Sequence, residues 1–517
     1  MRRLLPSAWV SGSSHNARYG ALRGILSDGA TRRTLSGIAW TSVGAGGQAL
    51  LKLGTLAVLA RFVSPEQFGL VAAAQVVVGL ADLVADLGLG PSLIQKKSLD
   101  DDQISTATTV NVSLGLGLSC LGILFAQELA SFSGSELAAP FVQVLSLSFL
   151  ARALGVTARA QVLRALRFKA ATLVEFAAFF VGQVCVAVSL AVAGWGAWSI
   201  ALGLLAQASV STGLFLAASP RALRFGLSRS ALADLAGYGA GITLAKVANY
   251  AALKGDYLII GRALGMDALG YYNRAYKLLE MPAKLFSKMS NKVVFPSMAR
   301  VQGQSERLGN AYLRGVSTLA TGGLLTSVSF FVLAPELIGV FFGPAWGEAV
   351  EPFRWLGLSS YFRLGYKMGG LVCRSTGKIR GYVVSQFFYA AVLLVGTLGF
   401  VDSGVVAVAR WVGASLVLHF IVLNGLALHI LRISPSRFFG AHAAGVVVAV
   451  LAGGPLFVAT LGLRAAGGSP FVVLSGAAAT CATALVLLAI FPPRILVSDV
   501  KWWRARVSAV LRRRSGE

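Results

Sequence analysis

The chain has 517 residues, 56% of them hydrophobic, 13% charged and 59 of them glycine. With about half the charged fraction of a soluble domain, this composition excludes a water-soluble enzyme and a disordered chain. The 46 Lys+Arg against 21 Asp+Glu, net +25, would point to nucleic acid in a globular domain, but in so apolar a chain they point to cytoplasmic loops and an anionic lipid surface, so no nucleic-acid partner is expected.

In chain order, residues 1–34 read as a basic cytoplasmic tail. Arg2-Arg3 is followed by no apolar core before Arg18, so the first span is expected to be an uncleaved anchor. Apolar runs bounded by charge, Pro or Gly predict helices at 35–60, 69–95, 104–126, 140–163, 170–193, 196–217, 232–260, 268–296, 311–334, 348–372, 381–400, 404–430, 441–462 and 470–491. The predicted fold is therefore all-α and polytopic, with about 14 transmembrane helices of about 20 apolar residues each. Spans 1–6 make an N-lobe (35–217), a cytoplasmic linker follows (218–231), spans 7–12 make a C-lobe (232–430), and 431–491 adds spans 13 and 14. The basic tail 492–517, with Lys501-Trp502-Trp503-Arg504, reads as a surface helix with aromatic anchors.

Loop charge supports this layout independently. The even-to-odd loops hold Lys96, Lys97, Arg164, Arg167, Lys169, Arg221, Arg224, Arg229, Arg300 and Arg307, whereas the odd-to-even loops hold Arg61, Arg262 and Arg464. The bias places both termini in the cytoplasm. No loop is long enough for a soluble domain, so function is expected within the bundle. Cys120, Cys185, Cys373 and Cys481 form no C-x-x-C, the histidines form no H-E-x-x-H, and there is no G-x-x-x-x-G-K-[ST]. Neither a metal nor a cofactor is expected, and no catalytic residue is assigned. Asp100-Asp101-Asp102 reads as the cap of the third helix.

A repeat runs without gaps at a spacing of 201: Ala60-Arg61…Glu66-Gln67-Phe68-Gly69 aligns with Gly261-Arg262…Asp267-Ala268-Leu269-Gly270. Six spans separate the copies, so both enter the membrane in the same orientation. Halves related by an axis along the membrane normal are a transporter plan with the substrate site between them.

Span 8 carries Arg274, Lys277, Lys284, Lys288 and Lys292, which at about 100° per residue fall within a stripe of about 80°. At about 2.5–3.5 kcal/mol per charge at the bilayer centre, such a stripe has to face water, protein or an anion. The competing reading, a surface helix with snorkelling lysines, breaks the alternation of loop charge. Lys52, Arg152, Arg159, Lys246, Lys254, Arg363, Lys367 and Arg410 lie in other spans, opposed by few acids, chiefly Asp82, Asp86, Glu175, Asp256 and Glu280. A basic cavity is expected that prefers phosphate, with Lys as a point charge and Arg as a bidentate fork. The candidate substrate-binding residues are Arg274, Lys277, Lys284, Lys288, Arg152, Arg159, Lys52, Lys246, Arg363 and Lys367; Asp82 and Asp86 are candidates for ion coupling.

Leu59-Ala60-Arg61-Phe62-Val63-Ser64-Pro65-Glu66-Gln67-Phe68-Gly69-Leu70, the following Asp86-Leu87-Gly88-Leu89-Gly90, and Gly270-Tyr271-Tyr272-Asn273-Arg274-Ala275-Tyr276 resemble the oligosaccharide flippases of the multidrug/oligosaccharidyl-lipid/polysaccharide exporter superfamily. The resemblance implies two six-helix lobes in a V that move polyprenyl-diphosphate-linked oligosaccharide from the cytoplasmic to the periplasmic leaflet of the bacterial inner membrane by alternating access. Membrane lipids and a polysaccharide polymerase or export machinery are the further partners it implies. A drug/cation antiporter of the same superfamily is the nearer alternative and calls for an acidic cavity; a membrane glycosyltransferase or polymerase calls for a sizeable catalytic loop.

Overall fold

Inside hydrocarbon every backbone N–H and C=O has to be paired within its own segment, so long apolar runs fold as helices. The computed structural model describes residues 51–85, 100–289 and 304–493, together with 47, 48, 93, 298 and 496. The helices are α1 (51–62), α2 (Pro65–Ala85), α3 (Asp101–Leu124), α4 (Ala139–Arg164), α5 (Phe168–Val192) and α6 (Ala197–Ala218). Arg229–Met289 is one helical run broken at Gly265, where φ of 85° suits a residue without Cβ; the break divides it into α7 (229–264) and α8 (266–289). Next come α9 (Ser305–Val332) and α10, made of Val350–Leu358 and Ser360–Ser375. The last are α11 (Ile379–Phe400), α12 (Val405–Leu431), α13 (Ala443–Ala465) and α14 (Pro470–Ile490).

Helix starts follow local chemistry. Ser64-Pro65-Glu66-Gln67 closes a capping box, the Gln67 N–H donating to Ser64 Oγ and the Ser64 N–H to Gln67 Oε1, both at 3.3 Å. At α3, Asp100 is the N-cap and its N–H donates to Gln103 Oε1, while Asp101 pairs with Arg224. Among the described residues nine helices are long and apolar enough to cross a membrane: α3–α6, α9 and α11–α14. The shortfall against the expected fourteen falls on α1, described over part of its predicted length, on α2, on the charged α7 and α8, and on α10, interrupted at Ser359.

α3, α4 and α6 pack together with α5 against α6; α10, α11 and α12 form a second group; α13 lies on α9 and carries α14. The long seam between the groups is α2 against the α7–α8 run. Here the 201-residue repeat becomes a contact. A Cβ on Gly69 would strike the Met266 carbonyl, and one on Gly270 would strike that of Pro65. Pro65 and Met266, like Gly69 and Gly270, are 201 positions apart, so equivalent residues meet reciprocally, as across a two-fold axis. Around this clasp Phe68, Phe342 and Trp346 are buried, and the Trp346 indole N–H donates to the Ala60 carbonyl at 2.8 Å.

α13 is tied to the end of α9 and the short helix Ala334–Phe341 that follows it by Arg464, whose Nε and Nη2 donate to the two carboxylate oxygens of Glu336 at 2.7 and 2.8 Å while Nη2 also reaches the Val332 carbonyl. Since the Glu336 side chain is 6% exposed, Arg464→Ala is expected to cost about 3 kcal/mol by stranding a buried carboxylate. A lowered thermal midpoint in detergent, rescued by the double change with Glu336→Ala, is the check.

Candidate functional site

Turns of α7 and α8 that carry polar groups in an otherwise apolar bundle meet α10 at one place. Asp256 on α7, 1% exposed, accepts the Tyr272 O–H at 2.6 Å and the Tyr257 N–H at 3.0 Å. The rings of Tyr257, Tyr272 and Tyr276 stand 5.4–5.9 Å apart. Two cations lie against them: the Lys254 ammonium is 3.8 Å from the Tyr257 centroid and 5.9 Å from that of Tyr276, and the Arg363 guanidinium is 4.5 Å from Tyr276. The negative faces of these rings favour a desolvated cation.

Arg363 reaches across from α10, 8% exposed, with Nη2 at 3.8 Å from Glu280. Its Nε and Nη1 have no hydrogen-bond partner among the described residues. Buried donors without acceptors are costly, so these two, which face different edges of the guanidinium, leave it able to donate to phosphoryl or carboxylate oxygens. Lys367, one turn along α10, donates to the Ala283 carbonyl at 3.3 Å. Behind Arg363, Tyr366 and Tyr389 stand 4.6 and 4.5 Å from His419, whose Nε2 is 3.3 Å from Gln386 Nε2.

The predicted cations thus fall into groups. Arg363 and Lys367 meet α8 in this cluster, and Lys277 is half-buried on α8. Arg274 is buried one turn earlier with its guanidinium 3.8 Å from the Phe68 centroid, beside the glycine clasp. Lys52 and Arg159 lie with α5: Lys52 Nζ is 5.4 Å from the Phe179 ring, and Arg159 pairs at 2.8 Å with Glu175, one turn before it. Arg152 is exposed on α4, and Arg410 stacks 4.7 Å over Trp355. The side chains of Lys246, Lys284, Lys288 and Asp82, and Asp86 and Lys292 altogether, lie outside the described residues.

Sequence reasoning counted Asp256 only among the opposing acids and saw no cluster around His419. The available signal was Asp256-Tyr257 recurring against Tyr272 and Tyr276 after sixteen and nineteen residues; an intramembrane acid beside a tyrosine-rich helix marks a polar cluster.

A multi-pass helical membrane protein with a cation–tyrosine site buried among α7, α8 and α10 is of the transporter class. The family model described as polysaccharide biosynthesis protein matches residues 58–351, more than half of the chain, and the chain belongs to that family. The matched range contains the blocks Leu59–Leu70 and Gly270–Tyr276 on which the flippase resemblance rests. The lipopolysaccharide biosynthesis protein WzxC of Escherichia coli is 26% identical over 374 residues, 70% of this chain and 75% of that one. The succinoglycan biosynthesis transport protein ExoT of Rhizobium meliloti is 28% identical over 324 residues, 62% of this chain and 65% of that one. Among solved structures, the lipid II flippase MurJ in an inward closed conformation shares the fold with a TM-score of 0.71 at 12% identity, covering 88% of this chain and 98% of that chain.

Proposed function

We propose that the protein is a flippase that carries polyprenyl-diphosphate-linked oligosaccharide from the cytoplasmic to the periplasmic leaflet of the bacterial inner membrane, for export of a surface polysaccharide. The observation that carries this reading is the buried Arg363 guanidinium, with donors to spare, beside Lys254, Lys367 and a wall of tyrosines: guanidinium and ammonium take up the diphosphate, and the tyrosine faces suit sugar rings. The names of the family and of its relatives point the same way. In this reading the N-lobe (35–217) and C-lobe (232–430) rock about the site, both termini are cytoplasmic, and 431–491 rides on the C-lobe. Lys277, Lys284 and Lys288 bind the substrate together with Lys52, Lys246, Arg152 and Arg159 in a basic cavity, and Asp82 and Asp86 carry a coupling ion. With a negative interior, one net negative charge moving outward gains about 2.3 kcal/mol per 100 mV, which favours export of an incompletely neutralised diphosphate. The glycan is then passed to a polymerase or export machinery at the outer face.

The test is a strain lacking the protein, in which lipid-linked oligosaccharide on the cytoplasmic leaflet should rise several-fold and surface polysaccharide should disappear. The wild-type chain is expected to restore export, and the double variant Lys277→Gln, Lys284→Gln to restore little of it while reaching the membrane at the same level. Normal surface polysaccharide in the deletion strain would refute the reading.

A further inference from the structure

Between α2, α3 and α4 on one side and α7 and α11 on the other lies a cavity of about 570 Å³, within the ~300–1,000 Å³ range of pockets that enclose a ligand. Its walls are aliphatic and aromatic, with Val77, Leu118 and Phe149 facing Leu258 and Leu394. The Tyr250 hydroxyl at its margin is already committed to the carbonyls of Gln75 and Val76. Such a lining suits neither sugar nor phosphate and does suit hydrocarbon. The rim residues Leu80, Leu121 and Phe125 are 40–51% exposed, so the cavity is open at an apolar edge formed by α2 and the end of α3.

One residue connects this cavity with the polar site. The stem of Lys254 forms part of the wall, while its ammonium lies on Tyr257 and, with Arg363, against the ring of Tyr276. An apolar chamber with Lys254 in its wall, and Arg363 on the other cation contact of Tyr276, is complementary to an amphiphile with an anionic head and a hydrocarbon chain. A chamber of about 570 Å³ that meets the polar site through Lys254 suits one hydrocarbon chain behind an anionic head better than the two chains of a phospholipid.

We propose that this inter-lobe cavity holds the isoprenoid segment next to the diphosphate of the transported lipid, so that the chain stays in protein contact while the head occupies the Lys254–Arg363 cluster. The inference rests on the flippase reading and adds to it a chain-binding site on α2, α3, α4, α7 and α11. It sits towards the end of the bundle that carries the α3–α4 connection, and it makes the chain, as well as the diphosphate, a determinant of recognition.

The experiment uses the full-length protein in phosphatidylethanolamine/phosphatidylglycerol vesicles with two diazirine probes, a polyprenyl diphosphate disaccharide labelled in its first isoprene units and a phosphatidylglycerol labelled in one acyl chain. The isoprenoid probe is expected to label the Leu118–Phe125 wall. Leu118→Trp, which fills the chamber, should lower both that labelling and flipping about tenfold, the loss expected when roughly two buried methylene groups are displaced; Leu258→Phe is a second filling variant should the first not fold. Labelling of the wall by the phospholipid probe alone, or wild-type flipping by either folded filling variant, overturns the cavity assignment. Failure of the wild-type protein to flip the isoprenoid probe strikes instead at the flippase reading, so the two failures are separable.

Discussion

Gly270→Leu is expected to abolish flipping while the protein still folds and inserts. The position lies where α8 crosses the start of α2, and even a Cβ there meets the Pro65 carbonyl. A leucine has no rotamer that clears a backbone atom at that distance, so the helices have to separate. In a transporter that alternates between two closures, a wedge at one of them removes a state that the cycle requires. A loss of transport of at least about 100-fold is expected, corresponding to roughly 3 kcal/mol against closure. Gly69→Leu should behave alike, because its partner Met266 is the repeat equivalent of Pro65, and the double variant should be no worse than either single one, since both open the same contact. Gly322, whose Cβ would meet nothing within 4 Å, provides the control: Gly322→Leu should transport normally. The direct readout is a cysteine at Phe68 in a background lacking Cys120, Cys185, Cys373 and Cys481. Phe68 is 1% exposed under Trp346; the wedge should make the cysteine react with a membrane-impermeant maleimide. Unchanged protection together with normal transport would show that the clasp is not a gate.

Arg363→Gln is expected to weaken binding of a soluble diphosphate-sugar by roughly 100-fold or more, because it removes the charge and both of the guanidinium donors that the protein leaves without acceptors. Arg363→Lys should recover part of the loss, since a point charge replaces the cation without the separate donors of the guanidinium. Glu280→Gln carries the opposite sign: its carboxylate lies 3.8 Å from Arg363 Nη2 and competes with an anion, so neutralising it should tighten binding. Titration calorimetry on the purified protein reads all three. Equal affinity in wild type and Arg363→Gln would remove Arg363 from the site, and weakened binding in Glu280→Gln would make that carboxylate a support of the guanidinium.

How far the site was legible in the sequence varies by residue. Arg363 and Lys367 stood out because a charge within an apolar run is costly wherever the helix lies, and their four-residue spacing puts both on one face. Arg274 stood out for the same reason, yet its guanidinium stacks on Phe68 in the contact of α8 with α2, a role that depends on a helix two hundred positions away. Arg159 shows the converse, since an apparently isolated intramembrane cation is paired with Glu175 on the next helix.

The all-helical class, the membrane setting, several helix starts and the repeat were determined by the sequence alone, because apolar period, capping residues and the expense of charge in hydrocarbon act over a few residues at a time. The Ser64–Gln67 box and Asp100 start their helices without help from distant segments. What only the tertiary structure decided is which charges and rings share one place: Asp256 with Tyr272, Lys254 and Arg363 against Tyr276, and Gly69 and Gly270 locked reciprocally on Met266 and Pro65. Those meetings depend on how two similar halves pack across a seam, and packing is set by the summed fit of many side chains rather than by any local pattern.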